Sequence, residues 1–214
     1  MSFSSKVKNE LCRLENLDVC CLMAELAAVL CLNGAAAPVP GNGYNIRITT
    51  ENAAFIRRVY SILKKHCDIS AEVVIRKSRK LKKHVSYMLF ITPALGSDRL
   101  LARTGTKVRA EEGKPAELVI SNRRILERAC CKKAFLRGAF LAGGSISNPE
   151  KTYHLELTAR TLEQAQEHKR LLNHFGLNGK ILERKGSYVT YLKEGENIVD
   201  FLNVIGAYYA LMVL

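Results

Sequence analysis

The chain has 214 residues, of which 48% are hydrophobic and 25% are charged; this balance is typical of a globular protein and excludes collagen, coiled coil and low-complexity disorder. Lysine and arginine total 33 against 20 aspartate and glutamate, which gives a net charge of +13. Such a surplus favours an anionic partner, either the phosphates of nucleic acid or a membrane surface. A basic surface without a partner is the alternative.

The first half of the chain alternates helical and extended patterns. Apolar residues recur at helical spacing in four segments and alternate with polar residues in others, with Ser4 or Ser5 and Asp18 as caps and Gly34 as a helix end. The predicted helices are Ser2–Leu14, Asp18–Leu32, Glu51–His66 and Ser97–Arg103, and the predicted strands are Tyr44–Thr50, Ala71–Lys77 and Val85–Thr92. A basic run joins the last two strands as a hairpin.

The second half repeats this order. The predicted helices are Asn122–Leu141, Thr161–Phe175 and Asn197–Leu214, and the predicted strands are Tyr153–Thr158, Lys180–Lys185 and Tyr188–Leu192, the last two joined at Gly186-Ser187. A shift of 110 positions places Cys20-Cys21 on Cys130-Cys131, and Gly34 on Gly144. We therefore predict a duplicated α+β unit with two small antiparallel sheets. Its parts are an N-terminal helix (1–17), repeat 1 (18–105), an inter-repeat linker (106–121) and repeat 2 (122–214).

The seven cysteines are odd in number, include no C-x-x-C pair and have no histidine at metal-ligand spacing. Together with a polar, charged N-terminus in place of a secretory leader, this predicts reduced thiols in the cytoplasm, with no metal site and no cofactor. The uncharged run Leu26–Pro38 is shorter than the roughly 17–25 residues of a membrane-spanning helix. We expect a buried helix followed by a turn, and no membrane partner.

Small residues form a stripe at a spacing of four on one helix of each repeat. The stripe consists of Ala24 and Ala28 in the first repeat and of Ala134, Gly138 and Ala142 in the second. Such stripes allow two helices to pack with their backbones close together. The alternative is that alanine serves only as a good helix former. Because the stripe recurs at matching positions, we predict two packed central helices.

The segment Leu136–Gly144, with the sequence LRGAFLAGG, resembles a degenerate LAGLIDADG motif, and Leu26–Gly34 is its weaker counterpart. In LAGLIDADG homing endonucleases, two such helices pack at a pseudo-two-fold axis, and each brings a carboxylate to the scissile phosphates to hold divalent metal. That acidic position falls on Asn33 in the first repeat and on Gly143 in the second. The resemblance therefore implies the homing-endonuclease-like fold and a chain that is not an enzyme.

Ser2-Phe3-Ser4 near the start and Arg137–Ser145, followed by Asn148-Pro149, resemble the WhiA family of bacterial regulators over nearly the whole chain. The resemblance implies a non-catalytic DNA-binding domain of a transcription regulator that controls sporulation, cell division or chromosome segregation, in the cytoplasm with the nucleoid. It implies promoter-region double-stranded DNA and other transcription regulators as partners, and we expect a monomer. The family's C-terminal helix-turn-helix domain is missing, so we expect this chain to be a piece of a longer protein.

Basic residues in the predicted hairpins are the candidates for phosphate contact. The predicted DNA-binding residues are Arg47, Arg76, Lys77, Arg79, Lys80, Lys82, Lys83, Arg184 and Lys185. A solvated loop is the alternative for the densest run, Arg76–His84. Other basic residues, including Arg109, Arg123 and Arg137, are expected to face solvent or to meet local carboxylates such as Glu111, Glu112 and Glu127.

Two further functions stay open at this point. The first is a protein-interaction or regulatory module whose DNA binding is confined to the missing helix-turn-helix domain. The second is a metal-dependent nuclease in which other carboxylates replace the lost pair. No nucleophile or phosphate-loop motif supports any other enzyme class, and His168 is interpreted as a surface residue that can pair with Glu163 or Glu167.

Overall fold

The computed structural model describes residues 1–78, 84–148 and 151–212. A short helix is followed by two segments with the same order of elements: helix, two strands, helix, two strands and helix. The four strands of each segment form one antiparallel sheet. The predicted α+β duplication is therefore confirmed, and one described core extends through both repeats.

The elements of the N-terminal part and the first repeat are α1 (Phe3–Leu11), α2 (Val19–Asn33), β1 (Gly34–Pro38), β2 (Tyr44–Thr50), α3 (Ala53–Cys67), β3 (Glu72–Lys77), β4 (Val85–Ile91) and α4 (Ser97–Thr104). Those of the second repeat are α5 (Ala129–Gly143), β7 (Gly144–Ile146), β8 (Leu155–Ala159), α6 (Leu162–His174), β9 (Lys180–Arg184), β10 (Ser187–Leu192), α7 (Gly195–Ile205) and α8 (Tyr208–Leu211). Between them lie β5 (Thr106–Arg109), β6 (Glu117–Ile120) and a short 3-10 helix (Arg123–Leu126).

The two larger sheets have matching strand orders. The first sheet runs β1-β2-β4-β3 and the second runs β7-β8-β10-β9, while β5 and β6 form a separate two-stranded ribbon. Neither β1 nor β7 is among the predicted strands. Gly34 and the alanines that follow it have low strand propensity, and β1 forms because its backbone pairs with β2, with Gly34 opposite Ile48. The predicted linker contains the β5–β6 ribbon.

Two predicted helices and one predicted turn are wrong in detail. The long helix over Asn122–Leu141 is interrupted, because Arg128 is extended (ψ 141°) and separates the 3-10 helix from α5. The C-terminal helix ends at Gly206, whose φ of 93° cannot continue a helix. The tight turn of the last hairpin consists of Lys185 and Gly186, with φ of 48° and 79°, instead of Gly186-Ser187. Positive φ at both positions matches the twist of the flanking strands.

Helices α2 and α5 pack through their small residues, as predicted. A Cβ atom added at Gly138 would lie 2.4 Å from the backbone oxygen of Glu25 and 3.0 Å from the Cβ of Ala28. Only glycine fits at that distance. Ala24 and Ala134 form a small buried cluster nearby. Arg137 is also buried in this interface, 5% exposed, and its partner is Glu25; the prediction of a solvent-facing or locally paired Arg137 is wrong.

Helix α1 lies near the N-terminus and contacts both the second repeat and the C-terminal end of the described chain. Its cap is Ser2, whose side chain accepts the Ser5 backbone N–H, and neither Ser4 nor Ser5 serves as the cap. The Ser4 hydroxyl instead donates to the backbone oxygen of Ile146 in β7. The Glu10 carboxylate accepts the backbone N–H groups of Tyr209 and Ala210 at 2.8 and 3.0 Å. Among the described helices, none has the length and apolar composition needed to cross a bilayer.

Candidate nucleic-acid interface

The outer face of the first sheet carries the predicted residue Arg47. Ile46 and Ile48 on either side of it are completely buried, whereas Arg47 is exposed, because successive side chains of a strand point to opposite faces. The register places Arg47 opposite Phe90, and Phe90 opposite Glu72 of β3. One row of the outer face thus contains a cation and an anion on either side of Phe90.

Arg76 and Lys77 are neighbours in β3 but belong to opposite faces of the sheet. Arg76 pairs with Ser86 and Lys77 with Val85, so Arg76 shares the face of Arg47 and Lys77 does not. All three are exposed, and none forms an ion pair with any other described residue. The remaining predicted residues of this hairpin, Arg79, Lys80, Lys82 and Lys83, lie outside the described residues.

In the second sheet, the predicted residue Arg184 already forms an ion pair within the protein. Its guanidinium donates to both Glu156 carboxylate oxygens, at 3.0 and 3.3 Å, and the His154 ring lies 2.6 Å from the same carboxylate. Burial alone would raise the pKa of Glu156, but the hydrogen bonds from His154 and Arg184 lower it below its ordinary value. Glu156 therefore stays anionic and cancels part of the positive charge on this outer face.

Lys185 occupies the tip of the hairpin between β9 and β10. Its φ of 48° belongs to the left-handed region, which an ordinary side chain adopts only at some energetic cost. The side chain is exposed and has no ion pair within residues 1–78, 84–148 and 151–212. It is the one predicted residue of the second sheet whose charge is available.

The paired helices end at the two positions where the resemblance to LAGLIDADG nucleases predicts the lost acidic residues. Asn33 is the last residue of α2 and Gly143 the last of α5. A Cβ atom at Gly143 would lie 2.3 Å from the Thr158 Oγ1 atom, and that hydroxyl donates to the Gly143 backbone oxygen at 2.9 Å. Thr158 thus fills the space that a side chain at position 143 needs. Neither position supplies a carboxylate.

A basic side chain that was not among the predicted DNA-binding residues lies close to the C-terminal ends of α2 and α5. Arg160, which follows β8 in the second repeat, donates to the backbone oxygen of Gly34 in the first repeat at 2.8 Å. Gln164 fixes this segment, because its side-chain oxygen accepts the Arg160 backbone N–H and its amide donates to the Cys31 oxygen. Sequence spacing gave no signal for Arg160, since its partner is a backbone atom of the other repeat.

Several other arginines are paired, but not with the expected carboxylates. Arg109 contacts Glu117 and Glu163 at 2.9 and 3.0 Å, which ties the β5–β6 ribbon to α6. Arg123 contacts Glu167 at 3.0 Å. Fewer of the 33 lysines and arginines are therefore available for a partner than their number suggests, although the net charge of +13 is unchanged by these pairs. His168 forms no ion pair with described carboxylates; it is 2% exposed, so its assignment as a surface residue is wrong.

Comparison with known protein families gives two adjacent matches. Residues 19–106 match the WhiA N-terminal LAGLIDADG-like domain, and residues 132–214 match the WhiA LAGLIDADG-like domain. The chain is 46% identical over 214 residues to the probable cell division protein WhiA of Alkaliphilus metalliredigens, covering 100% of this chain and 67% of that protein. It is 48% identical over 221 residues to the protein of the same name in Ruminiclostridium cellulolyticum, covering 100% and 66%. The chain thus spans about two thirds of the length of these relatives.

Solved structures share the fold. Full-length DUF199/WhiA from Thermatoga maritima aligns with a TM-score of 0.72 and 21% identity over 100% of this chain and 65% of that chain. The N-terminal LAGLIDADG domain of DUF199/WhiA gives 0.69 and 22%, over 96% and 90%. The homing endonuclease I-DmoI in complex with DNA and Mn gives 0.57 and 16%, over 88% and 97%. At these identities the likeness shows the fold alone, and it confirms the predicted homing-endonuclease-like architecture.

Proposed function

The chain belongs to the WhiA family, and we propose that it is a non-catalytic, duplex-DNA-binding domain of a transcription regulator that acts in cell division, chromosome segregation or sporulation. The single observation that carries this proposal is the outer face of the first sheet, where Arg47 and Arg76 are exposed and share one side. We place the protein with the nucleoid in the cytoplasm, as a monomer that binds promoter regions and works with other regulators. Its relatives are named for cell division.

Phosphate contact is the mode of binding that this face favours. Guanidinium groups on rigid strands form charge-assisted hydrogen bonds to phosphate oxygens, and each neutralised phosphate releases counterions. The fold is shared with a homing endonuclease whose structure was solved in complex with DNA, which supports DNA as the partner. The chain has 7% aromatic residues and no tryptophan, so a base-stacking platform for single strands is less favoured.

The proposal that this protein is not a nuclease is based on the residues at the C-terminal ends of α2 and α5. Hydrolysis of a phosphodiester by this fold needs hard oxygen ligands for a divalent metal. Asn33 is neutral, and the space beside Gly143 is taken by Thr158. We expect no nicking of supercoiled plasmid by the purified protein with Mg²⁺ or Mn²⁺. Reproducible nicking that survives purification to homogeneity would overturn this part of the proposal.

DNA binding is tested by fluorescence anisotropy with a labelled duplex at two salt concentrations. We expect salt-sensitive binding, with a plot of log K against log salt whose slope becomes shallower by about 1 for each phosphate contact removed. Arg47→Glu and Arg76→Glu should weaken binding. The matched control is Lys77→Glu, which makes the same change of charge on the opposite face. Binding without salt dependence, or an equal loss in Lys77→Glu, contradicts the proposed face.

A protein-interaction module is the second candidate, and the edge strand β3 favours it. Val73, Val74 and Ile75 are 51%, 39% and 56% exposed, which is unusual for three consecutive aliphatic residues on an open sheet edge. In this case the DNA contacts belong to the part of the protein outside this chain. Neutralising Arg79, Lys80, Lys82 and Lys83 in the full-length protein separates the two candidates. Unchanged DNA affinity favours the interaction module.

A further inference from the structure

Four cysteines that are far apart in the sequence meet at the N-terminal ends of the two central helices. Cys20 and Cys21 lie in the first turn of α2, and Cys130 and Cys131 lie in the first turn of α5. Their four sulfur atoms all lie within 4.8 Å of one another. The cluster is at the end of the helix pair opposite to Asn33 and Gly143, so it is separate from the candidate nucleic-acid interface.

The spacing of these sulfurs suits one metal ion. Zinc bonds thiolate sulfur at about 2.3 Å in a tetrahedron, which places the four sulfurs about 3.8 Å apart. The four cysteines are therefore within small side-chain rotations of that geometry. An iron–sulfur cluster would hold the cysteine sulfurs further apart, because iron and sulfide ions lie between them. Soft thiolate ligands in a tetrahedron favour zinc over magnesium or calcium.

The surroundings of the cluster stabilise negative charge. Neither helix has a capping side chain or an acidic residue in its first turn, so both helix N-termini direct their partial positive charge at the thiols. The Arg128 guanidinium lies 4.0 Å from the Cys20 sulfur.

The four cysteines of the cluster differ in their solvent exposure. Cys130 is exposed and Cys20 is partly exposed, whereas Cys21 and Cys131 are 7% and 3% exposed. An ion can therefore enter from the Cys130 side and be held by buried ligands on the other. Two ligands come from each repeat, so an ion here would join α2 to α5 directly.

We propose that Cys20, Cys21, Cys130 and Cys131 form a tetrathiolate zinc site that clamps the two repeats together. Binding replaces four S–H bonds with four Zn–S bonds and releases four protons to solvent, with no change in oxidation state. The site is structural, because all four tetrahedral positions are taken by protein ligands and none is left for substrate.

The test uses the whole chain, purified under reducing conditions. Metal analysis should find one zinc per chain, and titration with Co²⁺ should give the intense charge-transfer and visible bands of a tetrahedral tetrathiolate site. Cys130→Ser should lose these bands, whereas Cys130→His should retain an ion with an altered spectrum. Because Cys130 is exposed, neither change fills the core. The control is Cys12→Ser, which alters a thiol outside the cluster and should keep both the zinc and the spectrum.

Four results would overturn the proposal. One is a wild-type protein that binds neither zinc nor Co²⁺ under reducing conditions. The second is a mass lower by four protons without reductant and no metal, which shows a pair of disulfides instead. The third is iron and sulfide in the purified protein. The fourth is unchanged metal content in the Cys130→Ser variant. None of these measurements involves DNA, so they are independent of the proposed function.

Discussion

Arg137 of α5 and Glu25 of α2 form a buried ion pair between the two repeats, with 2.5 Å between Nε and Oε1. Their side chains are 6% and 2% exposed. A second guanidinium, that of Arg58 on α3, donates to both oxygens of the same carboxylate at 2.7 and 3.1 Å. The single Glu25 carboxylate therefore only partly neutralises the two buried guanidinium groups. It also connects the three helices α2, α3 and α5.

Glu25→Gln should strongly destabilise the protein. It leaves Arg58 and Arg137 buried without a counter-charge, and breaking such a pair typically costs about 3–5 kcal/mol. The midpoint of urea unfolding should fall accordingly. A triple change of Glu25→Leu, Arg58→Met and Arg137→Met should recover most of the loss, because apolar residues of similar volume often replace a buried ion triad at little cost.

The control for this prediction is Glu111→Gln, which removes the partner of Lys114 in a pair where both side chains are largely exposed. Exposed pairs are screened by water and contribute little. Its unfolding midpoint should match that of the wild type. If Glu25→Gln behaves like this surface variant, the buried triad has no stabilising role.

Gly143→Ala should destabilise the second repeat through one side-chain clash. The added methyl group would meet the Thr158 Oγ1 atom at 2.3 Å, and overpacking of this kind costs about 1–3 kcal/mol. Thr158→Ala removes that oxygen, so Gly143→Ala should then be neutral or slightly stabilising, as expected for alanine in a helix. A double-mutant cycle by urea unfolding measures the coupling between the two sites.

Gly138→Ala should create a clash that, unlike the one at Gly143, a second substitution does not fully relieve. The added Cβ atom would meet the Glu25 backbone oxygen at 2.4 Å, and no side-chain truncation removes a backbone atom. We expect a destabilisation that Ala28→Gly relieves only in part. Additive effects in the Gly143–Thr158 cycle, or full rescue at Gly138, would contradict the packing described for these helices.

His168 should make the protein less stable in acid. Burial lowers its pKa to about 4, and the neighbouring Glu167 carboxylate offsets this only slightly. Between pH 6.5 and pH 4 the unfolded chain binds a proton that the folded chain excludes, so stability falls as the pH falls through that window. The loss is on the order of 3 kcal/mol. In His168→Gln this part of the pH dependence should disappear from unfolding curves measured between pH 7 and pH 4.5.

The matched control is His174→Gln, which replaces an exposed histidine on the same helix. It should leave the pH dependence of unfolding unchanged. An equal flattening in both variants would show that His168 is not the group responsible. The Nδ1 atom of His168 is buried and has no hydrogen-bond partner among the described residues, which is consistent with a neutral ring.

Glu156→Gln should strengthen DNA binding at low salt. It removes one negative charge from the outer face of the second sheet and releases Arg184 from its ion pair. The slope of log K against log salt should become steeper by about 1 if Arg184 then reaches a phosphate. Glu183→Gln is the control, because Glu183 is exposed on the same hairpin but pairs with Tyr188 on the other face. Equal effects of the two changes would rule out a specific role for Arg184.

Much of the fold is encoded in local pattern. Strand β2 has the predicted bounds Tyr44–Thr50, because its alternation directly reflects one buried face. The pairing of the central helices follows from matching stripes of small residues. By contrast, β1 depends on pairing with β2, and its alanines carry no strand signal of their own.

Less of the candidate site could be predicted from the sequence. The ion pairs of Arg184 and Arg137 join residues on different elements, and their partners could not be chosen from charge alone. The cysteine cluster was missed for a similar reason. A search for closely spaced ligands cannot detect two Cys-Cys pairs, at Cys20-Cys21 and Cys130-Cys131, that meet only when two helices pack.

The Glu25–Arg137 pair also constrains how the molecule can be assembled from its halves. Under the shift that aligns the repeats, Glu25 corresponds to Phe135 and Arg137 to Ala27. A homodimer of the first repeat would place Ala27 opposite Glu25, and a homodimer of the second would bury Arg137 beside Phe135 without a carboxylate. The charge pair therefore exists only in the heterologous combination. Separately expressed halves should prefer each other over themselves, and joining them in one polypeptide makes the asymmetric pairing obligatory.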